Sequence, residues 1–165
     1  MDAAGKRTRS IRADGARTKA AILQGAARLA SVEGLEGLTI GGLAANLSMS
    51  KSGLYAHFGS KVELQLATID EAARVFYAEV VSPALAAEPG RRQLLALCDA
   101  YLAYLRRRTF PGGCFFAAAA LEMGSRPGPV RDRIAAFQRD LMGMTAGFVL
   151  AAQQHGDLLD DDPMA

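Results

Sequence analysis

The chain has 165 residues, of which half are hydrophobic and two are cysteines, and its formal net charge is +2. This length suits one domain, or a small domain with a compact partner, and no stretch approaches the roughly eighteen uninterrupted apolar residues of a membrane span. The cysteines form no CxxC pattern, which argues against a disulfide framework or a structural metal, and the charged N-terminus lacks the apolar core of a secretory signal, so we expect a cytoplasmic protein.

Positive charge is concentrated in the first part of the chain. Residues 1–61 hold nine Lys or Arg against four Asp or Glu, a net charge of +5. Residues 62–165 hold ten against thirteen, a net charge of −3. A segregated basic patch suits salt-dependent contacts with phosphates, although charge alone equally fits a solvated basic tail.

The first two segments differ in how much apolar surface they can bury. Residues 1–16 contain four basic side chains and one large apolar residue, Ile11, which predicts a flexible arm: a solubilising tail, or a segment that binds DNA phosphates or the minor groove. From residue 17 to about residue 33, apolar residues recur at helical spacing, and Gly34 is a natural stop for a first helix. Its expected core residues are Ile22, Leu23, Ala26 and Leu29.

Residues 39–61, TIGGLAANLSMSKSGLYAHFGSK, predict a helix, a tight turn and a second short helix. Thr39 and Ser50 are candidates for the N-caps of the two helices. In the second helix, Leu54 and Phe58 are four residues apart and point inward. The side chains left for another surface are Lys51, Ser52, Tyr55 and His57. A helix pair of this kind can place one member in a DNA major groove.

The N-terminal end of the second short helix is the part expected to meet base edges. It offers Lys51, Ser52 and Gly53. Lys51 can donate to guanine or to a phosphate, and Ser52 can pair with almost any group, so no operator sequence follows from them. Gly41 and Gly42 in the preceding helix cost roughly 1 kcal/mol each relative to Ala. Glycines let the helix backbone approach another surface closely, and near a helix N-terminus they expose N–H groups that can bind a phosphate. The alternative is that tertiary packing simply tolerates them.

The rest of the chain predicts longer helices. One pattern begins at Lys61 and continues to Pro83, and further helices are expected at about 91–108, 114–123 and 129–154. The helix expected at 114–123 is almost wholly apolar, which is typical of a helix buried on most sides. Because no alternating β pattern occurs anywhere, we predict an all-α fold.

Two segments resemble a known family. SMSKSGLYAHFGSKVEL, preceded by LTIGGLAANL, resembles the helix-turn-helix of the TetR family of bacterial transcriptional repressors, and FPGGCFFAAAALEMGSRPGPVRDRI resembles a subgroup of that family. Together the segments extend the resemblance over nearly the whole chain. It implies a three-helix DNA-binding head at residues 17–61, joined by a long helix to a helical regulatory domain at residues 62–165 that binds ligand and dimerises.

The resemblance also implies roles for individual residues of the head. Tyr55 and Lys61 match family positions that contact the DNA backbone, and Thr39 and His57 match positions that often do so. Ser48 departs from the family pattern, because many relatives have Gly in this turn. The implied partner is a double-stranded, palindromic DNA operator bound by a homodimer, most commonly for repression.

In this family the helices beyond the head enclose a pocket for a small molecule that releases the protein from DNA. The resemblance implies an apolar or amphipathic effector here. Glu122, the one charge of its helix, would anchor a cationic or hydroxylated ligand, or pair with an arginine such as Arg126. Each aromatic residue of this region, taken alone, suits an ordinary core; only as a set do they favour a pocket. The expected ligand-binding residues are Tyr101, Tyr104, Cys114, Phe115, Phe116, Met123 and Phe137.

The end of the sequence carries a helix-start signal, Asp162 followed by Pro163, with only two residues after it. Relatives usually continue into two further helices that complete a dimerising bundle. We therefore expect this sequence to be shorter than the full-length protein, the alternative being a short acidic tail.

Other function classes are less well supported by the sequence. No metal constellation, nucleophile motif, phosphate loop or pair of acids is present, and His57 and His155 have no convincing partners. We therefore predict neither an enzyme nor a cofactor. The alternative to a DNA-binding regulator is a helical protein-interaction module without specific DNA binding.

Overall fold

The computed structural model describes the backbone of residues 3–159 and the side chains of residues 15–159, and every regular element in that part of the chain is a helix. The predicted all-α fold is therefore confirmed. The elements are α1 (Ala3–Gly37), α2 (Ile40–Asn46), α3 (Lys51–Tyr55), α4 (Lys61–Phe76), a π-helical turn (Tyr77–Val81), α5 (Ser82–Leu85), α6 (Arg91–Arg107), α7 (Phe115–Met123) and α8 (Pro129–Gln154).

Helix α1 begins earlier than the sequence analysis expected. Its backbone is helical from Ala3. The basic arm expected over residues 1–16, as a solubilising tail or a DNA-binding segment, stays a prediction. The segment is rich in Ala, Arg and Lys, which are good helix formers, and it extends an existing helix without a new nucleation step. The arm's basic side chains lie outside the described residues, as do residues 160–165, on which the expectation of a shortened C-terminus rests.

The helix caps in the head form as predicted. The Thr39 hydroxyl accepts a hydrogen bond from the backbone N–H of Gly42 at 3.0 Å, and the Ser50 hydroxyl accepts one from Gly53 at 3.1 Å. Gly34 interrupts α1 with a non-helical φ of 79°, as a predicted stop should. These contacts define where each short helix starts, and hence which way it points.

The turn between α2 and α3 is closed although it lacks the usual glycine. Ser48 adopts a left-handed φ of 54°. The next residue, Met49, donates its N–H to the Ala44 carbonyl at 2.9 Å, which keeps the turn tight. A non-glycine residue in this conformation costs roughly 1–2 kcal/mol, and the packed head tolerates it.

One continuous core joins the head to the remaining helices, which are called the body below. Helix α1 packs against α4 and α7, and α4 also packs against α8. Of the predicted core residues of α1, Ile22 and Ala26 are buried, while Leu23 and Leu29 are partly buried against the same core. The domain boundary at residue 61 stays a prediction, because buried side chains are continuous across it.

The helix that begins at Lys61 is not regular up to Pro83. After Phe76 it passes through the π-helical turn before it becomes α5, which has Pro83 in its first turn. Proline has no backbone N–H and its ring crowds the carbonyl one turn earlier, so the α-helical hydrogen-bond pattern cannot run through this position. The irregular turn lies beside an apolar groove described below.

Candidate nucleic-acid interface and apolar groove

Helix α3 presents one apolar side chain to the core and several polar ones to solvent. Leu54 is fully buried, whereas Lys51, Ser52 and Tyr55 are exposed. Their spacing places them on one face of the helix. Tyr55 is 58% exposed, and among the described residues this large aromatic side chain has no ring partner.

The beginnings of α2 and α3 lie next to each other. A Cβ built on Gly41 would lie 3.4 Å from Cε of Lys51 and 3.7 Å from its Nζ, so the lysine side chain passes directly over this glycine. Thr39 is exposed just before α2. The N–H of Gly42 is not free for a phosphate, contrary to one reading of the glycine pair, because the Thr39 hydroxyl already accepts it.

Two other predicted DNA-binding residues, Gly53 and His57, are only partly exposed. The N–H of Gly53 donates to the Ser50 hydroxyl, and the His57 ring lies 6.3 Å from the ring of Phe58. Ser52 remains exposed with its hydroxyl 3.3 Å from that of Ser50. The structure thus brings Lys51, Ser52 and Tyr55 together, while the roles of Gly53 and His57 stay predictions.

Lys61, at the beginning of α4, already has a partner within the chain. Its Nζ donates to the Glu36 carbonyl at 2.7 Å and to the Glu36 carboxylate at 3.1 Å, and its side chain is 41% exposed. The hydrogen bond from Lys61, together with its charge, lowers the pKa of Glu36 below its ordinary value. No local sequence pattern points to Glu36 as the partner of Lys61, because the two residues are 25 positions apart.

A junction between head and body forms where α1 is interrupted at Gly34. The N–H groups of Leu35 and Glu36 donate to the two carboxylate oxygens of Glu122 in α7, each at 2.8 Å. The Leu35 carbonyl accepts from the buried Gln65 of α4 at 2.7 Å. The Glu122 carboxylate therefore closes this junction, and among the described residues Arg126 pairs with Glu36 rather than with Glu122. A role of Glu122 in anchoring a ligand stays a prediction.

An apolar groove of about 360 Å³ lies in the body beside the π-helical turn. Four of the predicted ligand-binding residues line it: Tyr101, Cys114, Phe116 and Phe137. The other lining residues are Phe76, Val80, Leu97, Cys98, Ala117, Gln138, Leu141 and Thr145.

The remaining predicted ligand-binding residues lie elsewhere. Phe115 lines a cleft between α1 and α7, Met123 lines a polar cleft beside α8, and Tyr104 is buried in the core, 1% exposed. The sequence cannot separate the two tyrosines, because both fall on the inner half of α6. Helix packing decides that Tyr101 faces the groove and Tyr104 the core.

Aromatic stacking closes the groove on one side. The rings of Phe116 in α7 and Phe137 in α8 are stacked with centroids 3.5 Å apart and planes 10° apart. Phe76 meets both edge-on, at 6.1 Å and 5.3 Å. The stacked rings thus join α7 to α8 at the edge of the groove.

Two tyrosine hydroxyls in or near the groove have raised pKa values. A hydrogen bond with Cys114, together with burial, raises the pKa of Tyr101 to about 12. Burial raises the pKa of Tyr104 still further, and its buried hydroxyl makes no hydrogen bond within the described part of the chain. The groove therefore has a mainly apolar lining, with the neutral hydroxyl of Tyr101 as a polar group on it.

A second apolar cavity, of about 530 Å³, lies on the other side of Phe137. Its rim carries Asp70, Arg74 and Asp140, none of which the sequence analysis singled out. No local pattern distinguishes these charges from ordinary solvated ones. Between residues 15 and 159, no cluster of His, Cys, Asp and Glu is arranged to hold a metal ion, and none of the described helices is long and apolar enough to cross a membrane.

Comparisons with known families match both parts of the chain. Residues 22–68 match a family described as bacterial regulatory proteins of the tetR family, and residues 90–165 match one described as the tetracyclin repressor-like C-terminal domain. Comparison with curated proteins gave no match.

Several solved structures are similar over most of the chain. A TetR transcriptional regulator from Chloroflexus aurantiacus J-10-FL is 25% identical, with a TM-score of 0.81 over 92% of this chain and 77% of that one. AibR, solved with isovaleryl coenzyme A and operator DNA, is 26% identical, with a TM-score of 0.71 over 88% and 77%. SCO4454, a TetR-family regulator from Streptomyces coelicolor, is 25% identical, with a TM-score of 0.71 over 81% and 71%.

Proposed function

We propose, on the premise that this chain belongs to the TetR family of bacterial transcriptional regulators, that it is a repressor whose head binds operator DNA and whose body binds the releasing ligand. The observation that carries the proposal is the exposed face of α3, with Lys51, Ser52 and Tyr55 side by side. Membership of a family of regulators favours this role over catalysis, and the protein would act in the cytoplasm, where the chromosome lies.

The exposed residues of the head divide into two roles. Lys51 and Ser52 lie at the N-terminal end of α3, where a helix in the major groove meets base edges. Tyr55 and Thr39 contact the sugar-phosphate backbone and set the register of α3. Lys61 binds a phosphate in the same way once it exchanges the Glu36 carboxylate for it. The operator is therefore read mainly by α3.

A homodimer on a palindromic operator fits the exposed surface of α8. Met142 and Leu150 on this helix are 57% and 47% exposed, and Gly143 and Gly147 have open space around them. Exposed apolar side chains interleaved with glycines allow two copies of a helix to approach closely. Two heads placed in this way would read half-sites about one helical turn apart, ~34 Å.

The releasing ligand would be a small apolar or amphipathic molecule bound in the groove. The support is the apolar lining and the neutral Tyr101 hydroxyl, together with AibR, a structural neighbour crystallised with isovaleryl coenzyme A. A ligand that fits the groove only after Phe116 and Phe137 separate would favour a different arrangement of α7 and α8. It would weaken DNA binding by the ratio of its affinities for the two states.

DNA binding is tested with the purified chain and fragmented genomic DNA from its host, beginning with the region upstream of its own gene. Specific fragments should be retained in the presence of excess nonspecific competitor, and their retention should fall steeply with added salt. If no fragment is retained but a protein partner is captured, the chain is an interaction module instead.

The face of α3 is tested with two matched pairs of substitutions. Tyr55→Ala with Lys61→Ala should lower affinity for the retained fragment by at least about tenfold, since each lost backbone contact weakens binding to all sequences. Tyr77→Ala with Arg92→Ala is the control: it removes a tyrosine 54% exposed and an arginine 76% exposed, both in the body. Equal losses in the two double variants would contradict the assigned face.

A further inference from the structure

Lys61, the lysine assigned to a DNA phosphate, is held by an anion of its own chain. Two of its three N–H donors are directed at Glu36, one to the backbone carbonyl and one to the carboxylate. The carboxylate has the charge and the oxygen geometry of a phosphate. Unless Glu36 moves aside or shares the third donor, a phosphate that approaches Lys61 meets a negative group already in place.

Glu36 is positioned by the body as well as by Lys61 of the head. Its backbone N–H donates to Glu122, and the neighbouring Leu35 N–H donates to the other oxygen of the same carboxylate. The Glu122 carboxylate also lies close to Gly34, where an added Cβ would be 2.8 Å from it. The left-handed φ of Gly34 turns both N–H groups towards α7.

A second contact from the body reaches the carboxylate itself. Arg126, in the loop between α7 and α8, lies 3.7 Å from the Glu36 oxygen that accepts from Lys61. The carboxylate therefore lies between one cation of the head and one of the body. Any shift of α7 or of the loop after it changes how strongly Glu36 holds Lys61.

We propose that Glu36 is a positioning residue that competes with a DNA phosphate for Lys61, and that Glu122 of the body holds it there. This inference rests on the proposed function, because it takes phosphate binding by Lys61 as given. The pair is 41% and 45% exposed, so the exchange is easy: solvent-exposed ion pairs are weak. Glu36 thus moderates DNA affinity, and it is the point at which the body acts on a DNA-contacting lysine.

The test compares Glu36→Gln with Glu33→Gln in the whole chain. Both substitutions remove one negative charge from the end of α1, but Glu33 makes no hydrogen bond or ion pair in the described structure. Affinity is measured for the genomic fragment that the wild-type protein retains best, and for a shuffled duplex of equal length, over a range of salt concentrations.

Glu36→Gln should raise the affinity for both duplexes about two- to fivefold, which is the range that the loss of one exposed ion pair allows. The slope of log affinity against log salt concentration should also become steeper, by up to about one, since Lys61 is free to neutralise a phosphate and release its counterion. Glu33→Gln should have a clearly smaller effect. In a Lys61→Ala background, the effect of Glu36→Gln should fall to that of Glu33→Gln.

Three results would overturn the proposal. If Glu36→Gln and Glu33→Gln changed the affinity equally, the loss of one negative charge near the DNA would explain both effects, without a role for the contact with Lys61. An effect of Glu36→Gln that is as large in the Lys61→Ala background as in the wild type would remove Lys61 from the explanation. Weaker binding by Glu36→Gln would mean that Glu36 holds Lys61 ready for the phosphate rather than away from it.

The part played by Glu122 has its own test. Glu122→Gln leaves one amide oxygen for two N–H donors, so Glu36 should be held less firmly and DNA binding should tighten. The effects of Glu122→Gln and Glu36→Gln should not add, because they act through the same contact. Full additivity contradicts the role of Glu122. If the wild-type chain retains no duplex at all, the proposed function itself fails, a result distinct from all of these.

Discussion

Gly112 lies in the turn between α6 and α7, pressed against the backbone of α1. A Cβ built there would lie 1.6 Å from the Ser31 carbonyl oxygen and 2.4 Å from its carbon. Both are backbone atoms, so no rotamer change relieves the clash, and in Gly112→Ala the turn has to move away from α1.

The movement would break two hydrogen bonds and expose an aromatic ring. The Gly112 N–H donates to the Ser31 hydroxyl at 3.2 Å, and Arg28 donates to the Thr109 carbonyl at 3.1 Å. Each contributes about 0.5–1.5 kcal/mol. Phe110 is 3% exposed, and partial exposure adds about 1 kcal/mol to the loss. We expect Gly112→Ala to lower the free energy of unfolding by about 3 kcal/mol and the Tm by about 6–12 °C.

Urea and thermal unfolding followed by circular dichroism measure this loss, and two other glycines serve as controls. Gly113 has a φ of 95° but nothing within 4 Å of a built Cβ. Gly113→Ala should therefore lower the free energy of unfolding by only about 1–2 kcal/mol, through backbone strain. Gly143 in α8 has open space and a helical backbone, so Gly143→Ala should gain up to about 1 kcal/mol. If Gly112→Ala is no more damaging than Gly113→Ala, the turn is not held against α1 as described.

Four further predictions follow from single contacts. Ser48→Gly should raise the unfolding free energy by up to about 1 kcal/mol in urea titrations, because glycine adopts the left-handed turn without strain. Tyr104→Phe should be neutral or stabilising by about 1 kcal/mol in the same assay, since it removes a buried hydroxyl without a partner; a loss above 1 kcal/mol would show a missed hydrogen bond. Lys61→Ala should raise the pKa of Glu36 towards its ordinary value in carboxyl NMR titrations, because Lys61 lowers that pKa in the folded wild-type protein. The stabilisation from this pair is therefore fully present above the ordinary carboxyl pKa, and it is lost as pH falls through the lowered pKa of the folded state. Met142→Glu should shift sedimentation towards the monomer if α8 forms the dimer surface, and unchanged sedimentation would place that surface elsewhere.

The short-range features of the head follow from the sequence alone. Thr39 and Ser50 cap their helices as their neighbours in the chain require, Gly34 stops the regular part of α1, and Pro129 begins α8. Each is decided by a few adjacent residues, since a hydroxyl one turn from a free N–H, a residue without a Cβ, or a residue without an N–H acts locally. The same local character makes Lys51 and Tyr55 recognisable as an outward-facing pair.

What joins head to body was decided by tertiary structure. Glu122 reaches backbone groups 86 and 87 positions away, and Glu36 meets Lys61 across 25 positions. No pattern of neighbouring residues encodes such pairs, because they exist only once α1, α4 and α7 have packed against one another. For the same reason the sequence could place Tyr101 and Tyr104 on the inner half of α6 but not choose which faces the groove, since that choice depends on a small rotation of the helix set by all of its neighbours.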